Sequence, residues 1–338
     1  MIIRILALGG IGAAIALAQS SSPAAANSSQ QPFSAVKTDP NYKPPKTPWG
    51  EPDLQGIWPL NHLIAVPLER PTRYGNQLYL TDEEFAKAQG NLDARRSRNQ
   101  SGAIPVADSS ARAMRQTSLI VDPPNGQFPP LTDYGKKLQA EMKGSYRPGQ
   151  TVFDSVDDFS AWDRCITRGM PVSMEPRNYN NGIRIMQSPG YVIVLLEMAH
   201  EARVIPTNGE PALDPSIKQW MGESRGHWEG NTLVVETTNF NGLVGETSAG
   251  VPGSPRPLEP ESPDMKIVER FTRVAPDTIE FKMTISDPAV LSTGSYTVAY
   301  PMFLDNKYES FEYACHEGNT AVRNYIQTSR YEREHPKK

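Results

Sequence analysis

The second half of the chain alternates. Ile279, Phe281, Met283 and Ile285 are apolar, while Glu280, Lys282 and Thr284 between them are polar. A period of two places successive side chains on opposite faces of a strand, so this stretch reads as a sheet strand with one face buried. Related runs occur at 183–187, 191–198, 202–206, 227–229, 232–238, 265–274, 295–302 and 308–314. The links between them are short and carry turn residues: Ser188-Pro189-Gly190, Glu229-Gly230-Asn231, Ala275-Pro276-Asp277 and Asp305-Asn306-Lys307. Consecutive strands joined in this way pair as antiparallel neighbours. The expected fold class is mainly β: an antiparallel, lipocalin-like β-barrel, whose closure removes exposed edges and leaves room for one small ligand. A β-sandwich is the alternative. The 31 prolines agree with either, because proline breaks helix interiors.

The first half is organised differently. Residues 1–18 read as a signal peptide: Arg4, an apolar small-residue stretch, then Ala16-Leu17-Ala18 as a cleavage site before Gln19. That stretch is too short for a permanent membrane span, so no stable membrane insertion is expected after cleavage. Residues 19–46, rich in Ser, Ala, Gln and Pro, read as a disordered leader. Residues 47–150 form an N-terminal irregular arm, 151–330 the β-barrel domain, and 331–338 a polar tail. Within the arm, Trp49 and Trp58 lie beside turn residues and are expected to dock on the body. Thr81-Asp82-Glu83-Glu84 is a capping box for a helix from about residue 82 to 96, and Thr132 caps a second to about 143.

Export to the periplasm is the expected localisation. The net charge of -4 gives no reason to expect a nucleic-acid partner. No phosphate loop or dinucleotide fingerprint is present, so no cofactor is expected. The two cysteines, Cys165 and Cys315, would meet an oxidising compartment, where a disulfide is the default state. Closing so long a loop would stabilise the fold by about 4 to 5 kcal/mol in the chain-entropy model. Two separate buried thiols are the alternative.

The motifs PWGEPDLQGIW, SLIVDPPNG, WMGESRGHWEGNTLVVETTNF and YACHEGN cover much of the chain. They resemble those of a large, mostly uncharacterised family of exported bacterial proteins with a lipocalin-like, calycin-type barrel. The phrase GHWEGNTLVV is also similar to a strand pair of lipocalin-like barrels. The resemblance implies a fold and says little about activity.

Candidate chemistry gathers around one interrupted apolar run. Glu197 ends Tyr191-Val192-Ile193-Val194-Leu195-Leu196, and a carboxylate there is either buried or at a cavity mouth. Burial raises a carboxyl pKa, which suits a general acid or base; pairing with an arginine such as Arg184 or Arg203 is the structural alternative. His200 follows Glu197, His227 lies beside Trp228 and Glu229, and His316 follows Cys315. Histidine is the side chain best suited to proton transfer near neutral pH. Glu197, His200, His227, Glu229 and His316 are therefore the catalytic candidates. Arg164, Arg203, Trp228, Glu317 and Tyr300 are the substrate-binding candidates. A disulfide would bring Arg164 toward His316 and Glu317, where a guanidinium could take a carboxylate or phenolate. No metal-ligand spacing appears, so no metal is expected.

These residues suggest a cofactor-independent acid–base enzyme of lyase, dehydratase or isomerase type. Its partner would be a hydrophobic small molecule, aromatic or polycyclic, such as a lignin-derived phenolic dimer. A periplasmic carrier for the same ligand is the alternative and would need the cavity but no perturbed carboxylate.

Overall fold

The structure is a computed structural model that describes residues 39, 41–99, 113–177, 179–244 and 259–336. The expected signal peptide, and most of the expected leader, lie outside the described residues. In chain order the elements are β1 (Gly56–Ile57), α1 (Asp82–Asn99), β2 (Ile120–Asp122), α2 (Asp133–Glu141), β3 (Ile183–Ser188), β4 (Tyr191–Leu196) and β5 (Ala202–Pro206). They continue with β6 (Glu223–Glu229), β7 (Thr232–Thr238), β8 (Lys266–Ala275), β9 (Thr278–Ser286), β10 (Ser295–Phe303) and α3 (Ala321–Glu334).

The strands form two antiparallel sheets, in the orders β1-β3-β4-β5 and β2-β10-β9-β8-β7-β6. The mainly β expectation holds at this level. From β3 to β10 each strand pairs with the next except at one place: β5 and β6 end different sheets, and no ladder joins them among the described residues. The tight turns form as their residues require. Glu229 pairs with Thr232 across a two-residue hairpin, and Gly230 takes φ +60 there, a conformation that costs glycine little.

Each sheet turns an apolar face to one shared core. Ile183, Ile185, Val192, Val194, Leu196 and Ile205 come from the smaller sheet, and Ile267, Phe271, Phe281, Met283, Val298 and Tyr300 from the larger. A polar cluster centred on Arg203 bridges the sheets inside this core. Arg203 on β5 makes a bidentate ion pair with Glu269 on β8, with side chains 3% and 0% exposed. Arg203 Nη2 also reaches Ser224 and Thr237, while its buried Nε has no hydrogen-bond partner among the described residues. A buried bidentate pair ties the two sheets together, and deleting one partner would strand a charge.

The arm is less separate than its composition implies. β1 pairs with β3, matching Gly56 with Ile185, and β2 pairs with β10, matching Asp122 with Thr297. The arm thus supplies one outer strand to each sheet, and Trp58 is fully buried in the common core. The two expected helices are present. Thr81 and Glu84 exchange capping-box bonds of 3.2 and 2.9 Å, and Thr132 Oγ1 accepts from Gly135 N at 3.0 Å.

One expected strand needs correction. Residues 308–314 form no strand, although Tyr308, Phe311 and Tyr313 punctuate a polar stretch there. That segment is held by side-chain bonds and the disulfide instead of by a ladder. Within the expected polar tail, Tyr331–Glu334 complete α3. Tyr325 of α3 packs edge-on against Phe153 and Phe159, and Ser329 Oγ accepts from Phe153 N at 2.9 Å. Among the described residues no helix is long and apolar enough to cross a membrane. Cys165 and Cys315 are disulfide-bonded, with Cα atoms 5.6 Å apart.

Candidate functional site

Glu197 lies just past the end of β4, 7% exposed, and its carboxylate is fully occupied. Oε2 accepts from Gly182 N and the Tyr308 hydroxyl, both at 2.7 Å. Oε1 accepts from Phe311 N at 2.8 Å and from Asn180 Nδ2 at 3.2 Å. The donors are two peptide groups, an amide and a phenol, with no arginine among them. Gly182 is required for this approach: a Cβ there would sit 2.8 Å from Glu197 Oε2 and from Tyr308 Cε1. Burial, then the Glu197 bond, drives the Tyr308 hydroxyl well above its ordinary pKa, so it stays a donor. This carboxylate clamps residues 308–311 onto the end of β3 and β4.

The other expected site residues do not converge on it. His200 is exposed, and its Nδ1 lies 2.9 Å from Tyr313 O. His227 and Glu229 face each other at 3.2 Å on the exposed end of the β6–β7 hairpin, where Glu229 also pairs with Arg270 at 2.6 Å. The Arg270 bond, then the His227 bond, lowers the Glu229 pKa. His316 and Glu317 are exposed in the turn after Cys315. Arg203 is committed to Glu269, Trp228 packs at the core margin, and Tyr300 is fully buried with its hydroxyl donating to Met174 O. Among the described residues no three His, Cys, Asp or Glu side chains gather as a metal site would require.

Arg164 is different. It lies half-buried in the wall of a cleft of about 510 Å³, within the size range of small-molecule sites. Leu138, Met142, Phe159, Trp220 and Val244 supply apolar and aromatic walls, and Lys143 stands with Arg164 as a second cation. Arg164 Nε donates to Ser160 O at 3.3 Å, and its guanidinium lies 3.9 Å from exposed Asp157. An ion pair that long and that wet contributes little, so the guanidinium is available to an anion.

The same cleft is walled by Glu261, which the sequence does not single out. Glu261 is 3% exposed. Oε1 accepts a long bond from Val244 N at 3.4 Å, and Oε2 has no hydrogen-bond partner among the described residues. Burial pushes the carboxyl well above the usual carboxylate range; the Val244 bond opposes this, and the neighbouring Asp287 charge adds to it. Asp287 itself is occupied by Ser262 N at 2.7 Å and Ser262 Oγ at 2.9 Å. The result is two close carboxyl groups in unlike surroundings, one well bonded and one nearly bare. Glu175 is a third buried acid, with neither oxygen bonded among the described residues.

The fold and cleft define a mainly β protein of two antiparallel sheets, crosslinked by one disulfide and carrying a cleft with a buried acid in its wall. Compared with known families, curated proteins and solved structures, the chain finds no match in any of the three.

Proposed function

We propose that this protein is an exported, periplasmic, cofactor-independent acid–base enzyme of lyase, dehydratase or isomerase type. Its substrate is a hydrophobic, aromatic small molecule, of which a lignin-derived phenolic dimer is one example. On this reading the two sheets are the halves of a lipocalin-like barrel left open between β5 and β6, and the chain belongs with the exported family its motifs resemble. One observation carries the reading: Glu261, buried and nearly unbonded, stands in the wall of an apolar cleft of about 510 Å³.

The chemistry follows from that setting. A carboxyl whose pKa is raised by burial holds its proton to higher pH than an exposed one, and on this reading Glu261 acts first as a general acid. Phe159 and Trp220 offer ring faces to an aromatic substrate, and Arg164 with Lys143 would hold its carboxylate or phenolate. The cleft alone would serve a carrier, and Glu261 is what favours catalysis.

The test is a turnover screen of phenolic dimers by liquid chromatography and mass spectrometry, run on the wild type and Glu261→Gln. Loss of one general acid costs about 10²- to 10⁴-fold in rate while substrate binding survives. Equal turnover by the two proteins would remove Glu261 from the chemistry. Tight binding with no turnover by either would leave the carrier.

A further inference from the structure

Among the described residues only Trp220 walls two clefts, the one of about 510 Å³ that holds Glu261 and a second of about 600 Å³. Its neighbours pin its backbone. Gln219 N donates to Asn239 O at 2.8 Å, and Asn241 N donates to Gln219 O at 3.0 Å. Gly222 follows with φ +67, and a Cβ there would lie 2.6 Å from Thr238 O and 2.8 Å from Phe240 Cε1, so the turn closes only with glycine. The indole held on this turn is half-buried, yet it has no hydrogen bond, ring contact or cation on its face among the described residues. Other tryptophans of the chain are engaged. Trp49 and Trp58 donate their indole N–H to Glu51 and Leu54, and Trp162 packs against Arg168 and Tyr313. A large ring on a fixed backbone with nothing bound to it is a platform for a ligand.

The second cleft lies between β5 and the start of β6, and Trp220 is its one aromatic wall. Its cations are committed: Lys218 Nζ donates to Pro263 O at 2.9 Å, Arg225 pairs with Glu223 and Glu210, and Arg203 pairs with Glu269. Its acceptors are not. Glu201 Oε2 accepts from Thr167 Oγ1 at 2.6 Å, while Oε1 has no hydrogen bond among the described residues. The exposed Gln219 amide is likewise unbonded there. Such a wall suits neutral hydroxyl groups, unlike the first cleft, where Arg164 is open to an anion.

We propose that the substrate has two joined parts and lies across Trp220, with an acid-bearing aromatic ring beside Glu261 and a hydroxylated, sugar-like unit in the second cleft. This rests on the reading of the Glu261 cleft as the active site. The C–H groups of a sugar ring pack on the negative face of the indole, and its hydroxyls donate to the Glu201 carboxylate and exchange bonds with Gln219. Glu261 does not line the second cleft, so this unit anchors the substrate without reacting. Binding there would be used to place the ring against the acid.

The test compares two probes by calorimetry, 4-methoxybenzoate and 4-carboxyphenyl β-glucoside. They share the ring and the carboxylate and differ in a methyl against a sugar. The wild type should bind the glucoside roughly tenfold more tightly, the return on a hydrogen bond to a charged group. Trp220→Ala should abolish that advantage. Glu201→Gln should cut it by at least about threefold and leave 4-methoxybenzoate unchanged, which a merely structural role would not produce. Glu201→Gln also decides the matter should Trp220→Ala fold poorly. Equal affinity of the wild type for the two probes, or an advantage that survives Glu201→Gln, overturns the second subsite and leaves the cleft reading standing. Failure of both probes to bind overturns both.

Discussion

Two buried glutamates of this protein have opposite surroundings. Glu197 accepts four hydrogen bonds, from Gly182, Phe311, Asn180 and Tyr308. Glu261 accepts one long bond and leaves an oxygen bare. Burial is similar, so burial does not decide which acid is structural. What decides is the supply of donors. A carboxyl given several donors holds the backbone, whereas burial without donors favours the protonated form.

The largest effect that would blur this contrast comes from the disulfide. It anchors the residue next to Arg164 in the cleft wall and, at Cys315, the segment that Glu197 clamps. A Cys165→Ala/Cys315→Ala protein should lose about 4 to 5 kcal/mol in urea unfolding, damaging both regions together. Glu197→Ala separates them. It leaves four donors without an acceptor and should cost on the order of 3 to 4 kcal/mol, with dye binding in the cleft intact per folded molecule. Intact stability would show that the clamp is dispensable.

Glu261→Gln acts through pH. The folded pKa of Glu261 is raised above 4.5, so the folded state binds more protons than the unfolded one. The stability this proton confers is fully present below about pH 4.5 and is lost as pH rises through the folded value. Such a group contributes a slope of about 1.4 kcal/mol per pH unit, and unfolding midpoints across pH should show that slope reduced in the variant. An unchanged slope would mean that Glu261 is ionised in the folded protein. The smallest effect is that of Arg164→Ala, which should weaken binding of the anionic dye by roughly three- to tenfold, about 1 kcal/mol, as calorimetry would show.

Local pattern was legible and distant supply was not. The alternation over 278–286 and the Glu229-Gly230-Asn231 turn announce β9 and the β6–β7 hairpin, because period and turn chemistry act over a few residues. Thr81 and Thr132 announce their helices for the same reason. Glu197 was visible as an anomaly, but its donors Tyr308 and Phe311 arrive from more than a hundred residues away. Glu269 could have been found, since it shares the inward phase of β8 with Ile267 and Phe271. Glu261 could not: Glu259-Pro260-Glu261 reads as a solvated proline loop, and only the packed structure shows all three residues buried. β1 and β2 are too short to carry a period, and their pairing is decided by the strands they join.

The bond between Cys165 and Cys315 also sets how the molecule would respond to being pulled by its ends. Tension applied at the termini would cross from one cysteine to the other through the sulfurs, a shortcut past 150 residues. Every strand from β3 to β10 lies inside that shortcut and would feel no direct force. Extension should therefore strip off β1, α1, β2, α2 and α3 first and then stop. Under load the oxidised protein would behave as a short tether with a sheltered core, and a reductant would release a length of hidden chain.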